Sequence, residues 1–196
     1  MIRRILLLPL LAAALTILLA ACDPAPKAAK DAAPSPEVAA VPLFDTFGDL
    51  HRDVATRVPA AQRFFDQGLR MAYGFNHEAA GRAFAEAARL DPQCAMCVWG
   101  QALVLGPNIN LPMDPALAAE ASALAARAAS LGGTARPADR ALIQALQARY
   151  ADPAPEDRST LDRAYADAMA RVVARFPEGD DAATLHAEAL MDLSPW

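Results

Sequence analysis

The sequence lacks the residue patterns on which most catalytic sites depend. It contains three histidines and three cysteines in 196 residues. It has no H-E-x-x-H metal motif, no phosphate-binding glycine loop and no Ser/His/Asp grouping in a recognisable elbow. His77 and Glu78 are followed by no second histidine at the spacing that a zinc protease needs. These absences favour a binding or scaffold role over an enzyme.

Basic clusters and strand patterns are also missing. Without Arg3 and Arg4, which lie in the apolar leader, the chain carries 16 basic against 23 acidic residues. An acidic chain with no basic patch argues against nucleic acid as a partner. No segment alternates Val, Ile or Thr with polar residues, so no half-buried β-strand is predicted.

The chain does contain a leader. Arg3 and Arg4 precede a long apolar run, residues 5–19, and two alanines then lead to Cys22. This order is typical of a secretory signal peptide, so residues 1–21 are predicted to be removed and to play no part in the fold.

The end of the leader resembles a bacterial lipobox. The string LAAC, residues 19–22, implies cleavage before Cys22 and acylation of that cysteine. A plain signal peptide with a chance cysteine is the alternative. Several acyl chains on one residue hold a protein to a membrane more firmly than a single chain does. We therefore expect a lipid-anchored protein of the bacterial cell envelope that faces the periplasm, with inner or outer membrane left open.

A tether follows the lipidated cysteine. Residues 23–42 are rich in proline and alanine and contain few large apolar side chains. At about 3.1 Å per residue, such a segment spans about 60 Å. With Cys22 it forms the tether, residues 22–42, and residues 43–196 are long enough for one ordinary domain.

The domain is predicted to be all-α. Ala, Leu, Arg, Glu and Gln dominate, and Asn76, Asp91-Pro92 and Gly132-Gly133 are typical helix boundaries. Seven helices are predicted, near residues 59–75, 77–90, 92–105, 115–131, 137–150, 159–176 and 180–193.

The spacing of small and aromatic residues resembles the tetratricopeptide repeat, which has a period of about 34 residues. Gly68 and Ala80 would let two helices approach closely, while Phe84 would fill the seam between them. A single helix pair cannot bury its apolar face, so further pairs are expected to stack as an α-solenoid with one good repeat and degenerate ones. The repeat positions are Phe64, Gly68, Ala80, Phe84, Ala87, Pro92 and Trp99.

Longer strings resemble a family of bacterial envelope tetratricopeptide-repeat lipoproteins. They are FNHE at residues 75–78, LDPQCAM at 90–96, WG at 99–100 and LGPNIN at 105–110. The resemblance implies a membrane-anchored scaffold that binds another envelope protein or peptide in its concave groove. Members of the family continue beyond the final SPW of this chain, so we interpret it as an N-terminal fragment of a longer protein.

Four polar residues are candidates for partner binding: Asn76, His77, Asn108 and Asn110. Residues 106–114 form a loop longer than a normal repeat turn, and such loops often lie on a binding face. Asparagine side chains can bond a peptide backbone, although they can equally bond their own loop. Asn76 is equally well explained as a helix cap.

The C-x-x-C pair, Cys94 and Cys97, has three alternative interpretations. It can form a disulfide in an oxidising compartment, act as a redox dithiol, or bind copper or zinc as soft thiolates. No histidine follows Cys97, which excludes attachment of a c-type haem. The alternative function is therefore a copper- or zinc-binding envelope protein. Its candidate ligands, completed by a missing C-terminal half, are His51, His77, Cys94 and Cys97.

The lipid anchor is testable with Cys22→Ala. We expect labelled palmitate to enter the wild-type chain and not the variant, which should remain an unlipidated precursor or a soluble periplasmic species, because acylation needs the Cys22 thiol. The Cys94→Ala variant is the matched control and should label normally. Absence of palmitate from the wild-type chain would refute the anchor.

Overall fold

The structure, a computed structural model, describes residues 41–194. The predicted signal peptide, Cys22 and the tether up to residue 40 lie outside these residues. The described part is helical and belongs to one compact unit, and its only β pairing is an isolated bridge between Asn108 and Leu111. The predicted all-α class is thus confirmed for this part. Within it, no helix combines the length and apolarity needed to cross a membrane.

Each of the seven predicted helices is present at or near its predicted position. They are α1 Pro59–Tyr73, α2 His77–Leu90, α3 Ala95–Leu103, α4 Ala118–Leu131, α5 Pro137–Gln147, α6 Ser159–Arg175 and α7 Asp180–Met191. Short 3-10 turns precede and follow α4, at Pro115–Leu117 and Gly132–Thr134. Prolines begin α1 and α5, since a backbone N–H at the first position of a helix would have no partner within that helix.

The third helix begins later than predicted. Asp91 caps a turn instead of a helix: its Oδ1 accepts from the Gln93 N–H at 3.1 Å and its carbonyl accepts from the Cys94 N–H at 3.1 Å. Cys94 is the actual N-cap of α3. The prediction of a helix from Pro92 is wrong because the aspartate satisfies the backbone locally as an Asx turn.

Helices that are neighbours in sequence pack on one another throughout the described part. In addition, α1 packs on α3, and α3 packs on α5. One hydrophobic core extends from Phe64 and Phe65 in α1 to Leu185 in α7. Six of the seven predicted repeat residues are buried, and the seventh, Pro92, lies exposed in the turn before α3.

Phe84 of α2 is held between two glycines. A Cβ on Gly68 in α1 would lie 2.7 Å from Cδ1 of Phe84, and one on Gly100 in α3 would lie 2.6 Å from its Cγ. Real Cβ atoms do not approach ring carbons this closely, so both glycines are needed for α1, α2 and α3 to meet around the ring. The predicted contact of Gly68 with Phe84 is confirmed, and Gly100 is a second one that was not predicted.

Gly100→Ala should therefore destabilise the domain by about 1–3 kcal/mol, the usual range for overpacking a core. Replacing the ring with a smaller side chain, in the double variant Gly100→Ala with Phe84→Leu, should recover part of that loss. Phe84→Ala alone should destabilise the domain by about 3–5 kcal/mol, because it leaves a cavity. Gly133→Ala is the matched control, because a Cβ there meets nothing within 4 Å. Equal urea midpoints for the Gly100 and Gly133 variants would contradict this packing.

Candidate functional site

The 106–114 loop forms one wall of an open groove of about 1050 Å³. The second wall is the segment between α5 and α6, residues 154–158. The third is the C-terminal end of α7, residues 190–192. We call this surface the loop groove. The long loop singled out from the sequence is therefore one of its walls; that it binds a partner stays a prediction.

The loop groove is apolar, and two of its lining carboxylates, Glu156 and Asp157, are exposed. Leu111 is 65% exposed, and Leu190 and Met191 are each 48% exposed, although large apolar side chains normally avoid water. Four carboxylates and one arginine lie among its described lining residues; they are Glu156, Asp157, Asp162, Asp192 and Arg158. Arg158 is engaged, because it donates to Asp162 at 3.2 Å and to the Arg149 carbonyl at 2.9 Å.

A buried arginine holds the walls together. Arg149, at the end of α5, is only 1% exposed. Its Nη2 donates to the Pro107 carbonyl at 2.6 Å and to Oδ2 of Asp192 at 3.0 Å. The guanidinium also lies 4.5 Å above the ring of Tyr165 in α6. One side chain therefore contacts the loop, α6 and the end of α7.

The electrostatics around Arg149 keep it charged. Burial by itself lowers the pKa of Arg149, but the surrounding tyrosines and the carboxylates Glu188 and Asp192 raise it further than burial lowers it. Burial raises the pKa of both carboxylates, and Arg149 opposes that shift. A buried cation with satisfied donors is stable only while these partners remain in place.

His77 and Asn108, two of the predicted partner-binding residues, contact each other. Nδ2 of Asn108 donates to Nδ1 of His77 at 3.2 Å, and Oδ1 of Asn108 accepts from the Asn110 N–H at 2.9 Å. Burial lowers the pKa of His77, with a further lowering from Arg149, and both favour the neutral ring that can accept this bond. These two residues position the loop, while Asn110 lines the loop groove.

The FNHE motif forms the corner between α1 and α2. Asn76 caps α2 by accepting from the Ala79 N–H at 3.3 Å, as its alternative interpretation predicts. Phe75 has φ of 59°, in the left-handed region that favours glycine, and its half-exposed ring lies 6.2 Å from that of His77. The corner is therefore strained at Phe75 and held by the cap.

Cys94 and Cys97 form a disulfide at the start of α3. Both are fully buried, and Sγ of Cys94 accepts from the Cys97 N–H at 3.2 Å. Of the three interpretations of the C-x-x-C pair, the structure has the disulfide. The two thiolates that a copper or zinc site would use are joined in this bond.

His51 bonds two aspartates and none of the other candidate metal ligands. Its Nδ1 is 2.7 Å from Asp66 and its Nε2 is 2.8 Å from Asp53. Hydrogen bonds to Asp66 and then to Asp53 raise its pKa. Within residues 41–194, no three His, Cys, Asp or Glu side chains come together in a way that could hold a metal.

Arg149 was not among the residues predicted from sequence. A signal for its burial was present in the sequence, because Arg149 lies three residues after Leu146 and directly before Tyr150, at the apolar positions that continue the pattern of α5.

The two histidines near these sites should titrate in opposite directions. We expect NMR titration of the full chain to give a pKa for His77 below the ordinary value of 6.5, and one for His51 above it. His77 then stabilises the fold above pH 6.5, and this contribution is lost as the pH falls through its lowered pKa. His51 stabilises below pH 6.5 and loses that contribution as the pH rises through its raised pKa.

The Asn108→Ala variant should raise the His77 pKa little, because burial is the larger cause, whereas Asp66→Asn should lower that of His51. A His51 pKa below that of His77 would contradict the arrangement.

Comparisons of the chain with protein-family models, curated proteins and solved structures find no match. The family resemblance therefore rests on the quoted motifs, and the geometry of the described residues carries the functional conclusion.

Proposed function

We propose that the protein is a lipid-anchored helical scaffold of the bacterial cell envelope that binds a segment of another envelope protein in the loop groove. The observation that carries this proposal is the groove itself, an open cleft of about 1050 Å³ with exposed apolar side chains. Exposed apolar clusters with a polar rim are typical of protein interaction sites.

The rim chemistry indicates the kind of segment that fits. Leu111, Leu190 and Met191 offer apolar contacts. Two lining carboxylates, Glu156 and Asp157, are exposed and add negative charge, whereas Asp162 and Asp192 are paired with arginines. A partner segment with apolar side chains flanked by lysine or arginine would complement both features. Asn110 at the edge can bond a peptide backbone.

The helix contacts support a repeat-type scaffold. Sequential packing, together with the contacts of α1 with α3 and α3 with α5, is what stacked antiparallel pairs would give. We therefore propose a tetratricopeptide-like stack. The surface that we assign to this partner is the loop groove rather than the concave face implied by the repeat resemblance, because the loop groove is open and carries exposed apolar side chains.

Placement at the membrane completes the proposal. Acylation of Cys22 would attach the chain to a bilayer, and a tether of 20 residues at about 3.1 Å per residue would hold the domain up to about 60 Å away. A scaffold displayed in this way could meet partners beyond the reach of the lipid headgroups.

Photocrosslinking in cells tests the proposal. A photoreactive phenylalanine analogue is placed at Leu111 or at Met191 in the full chain, and irradiation should give the same discrete protein adduct from both positions. Leu111→Glu should reduce the adduct from Met191 by roughly tenfold, because a charge would enter the apolar contact. That factor corresponds to about 1.4 kcal/mol.

Arg89 is the matched control position, because it is exposed on α2 and does not line the groove. The analogue at Arg89 should give no such adduct. An identical adduct from Arg89, or none from either groove position, would refute a partner in the loop groove.

A further inference from the structure

Residues 42–54, which we call the strap, precede α1 without forming a helix or strand. Val54 is its only buried apolar side chain, whereas Phe44, Phe47 and Leu50 are each more than 40% exposed. A segment that leaves its largest apolar groups in water is not held by burial in the core. Its attachment has to come from polar contacts.

Side chains of α1 hold the backbone of the strap at both ends. Gln67, only 2% exposed, donates to the Pro42 carbonyl and accepts from the Phe44 N–H, each at 2.8 Å. Gln62 does the same further along, donating to the Arg52 carbonyl at 2.8 Å and accepting from the Val54 N–H at 3.0 Å.

Two more α1 side chains bond the strap backbone, at positions between those held by the two glutamines. Arg70 donates to the Leu50 carbonyl at 2.7 Å, and Asp66 accepts from the Arg52 N–H at 3.2 Å. Contacts to backbone groups do not depend on side-chain identity. They form the kind of clamp by which a helical surface can recognise an extended peptide.

The side chain of Arg52 extends from the strap to two carboxylates, one on α5 and one on α7. Its Nη2 donates to Oδ1 of Asp139 in α5 at 2.6 Å, and its Nη1 bonds Asp181 in α7. Asp139 is fully buried, and the Tyr73 hydroxyl of α1 donates to the other oxygen of Asp181 at 2.6 Å. Three helices therefore build a carboxylate pocket with the fork geometry that suits a guanidinium.

We infer that α1, α5 and α7 form a second binding site, which takes an extended protein segment carrying an arginine, and that the strap occupies this site in cis until a partner's segment displaces it. The inference goes beyond the loop groove and does not depend on it. The backbone clamp supplies affinity for any extended segment, and the Asp139–Asp181 pocket selects arginine.

The strap is suited to displacement because hydrogen bonds and ion pairs hold it, while Val54 is its only buried apolar side chain. The ion pairs to the helices are those of Arg52 with Asp139 and Asp181, His51 with Asp66, and Asp45 with Arg63. Hydrogen bonds at an exposed segment open at low free energy compared with the whole fold. The covalent link gives the strap an effective concentration of about millimolar, so a partner has to compete against that value.

The test uses the full chain with Arg52→Gln, which weakens the strap without removing it. A fluorescent peptide of residues 41–57 is titrated by anisotropy against the variant and the wild-type chain. We expect the variant to bind this peptide at least tenfold more tightly than wild type, because its own strap lacks the guanidinium. The same peptide with glutamine in place of its arginine should bind the variant at least tenfold more weakly.

Arg63→Gln is the matched control, because Arg63 pairs with strap residue Asp45 only at 3.5 Å and on an exposed surface. Exposed pairs of this kind contribute little, so this variant should bind the peptide as weakly as wild type. A folded Arg52→Gln chain that binds neither peptide at millimolar concentration, or binds both equally, would overturn the inference and leave the strap as a fixed structural element.

Hydrogen exchange decides the matter if Arg52→Gln does not fold. In the wild-type chain, the amides of Phe44, Arg52 and Val54 should exchange through an opening that leaves the α1 amides protected. Exchange of these three amides only at the rate of global unfolding would overturn the inference. Crosslinking at the loop groove is a separate readout, so the failure of one site does not imply failure of the other.

Discussion

The arrangement of the loop groove depends on a single buried cation, Arg149. A guanidinium withdrawn from water has to find partners for its donors, and the partners here come from segments that are distant in sequence. The Pro107 carbonyl belongs to the long loop, and Asp192 follows α7. Because both bind one nitrogen of one side chain, the loop and the end of α7 are fixed relative to each other, and the space between them persists as a groove.

A second arginine–aspartate pair lies at the other end of α7. Arg52 pairs with Asp181 in the first turn of this helix, and Arg149 pairs with Asp192 just after its last. The last described helix is thus secured by an arginine at each end, in addition to its apolar packing through Leu185. This leaves Leu190 and Met191 free to face the groove, since they are not required to hold the helix in place.

Local signals explain how much of the fold could be predicted from sequence. Asn76, Pro59 and Pro137 act within one helical turn, so the helix boundaries near them are found correctly. The repeat spacing likewise locates Phe84 against Gly68. The start of α3 was misplaced because an Asx turn and a helix cap use the same residue types.

The sites were less predictable because their contacts are long-range. Asn108 meets His77 across 31 residues, Arg149 meets Asp192 across 43, and Arg52 meets Asp181 across 129. The sequence around an arginine does not show whether its side chain is solvated or pairs with a buried carboxylate. The length of the loop singled it out in the sequence, but nothing in that sequence indicated which distant side chains complete the groove.

The separation between Arg52 and Asp181 also constrains the order in which the chain can mature. Synthesis proceeds from the N-terminus, so the strap emerges early, while the carboxylate that fastens it emerges more than a hundred residues later. Contacts of such high sequence separation form late, because the intervening chain first has to be organised. Until α7 arrives, the clamp side chains of α1 can hold the strap backbone, but Arg52 lacks one of its two carboxylates. Completion of the last helix is therefore the event that gives Arg52 its second carboxylate.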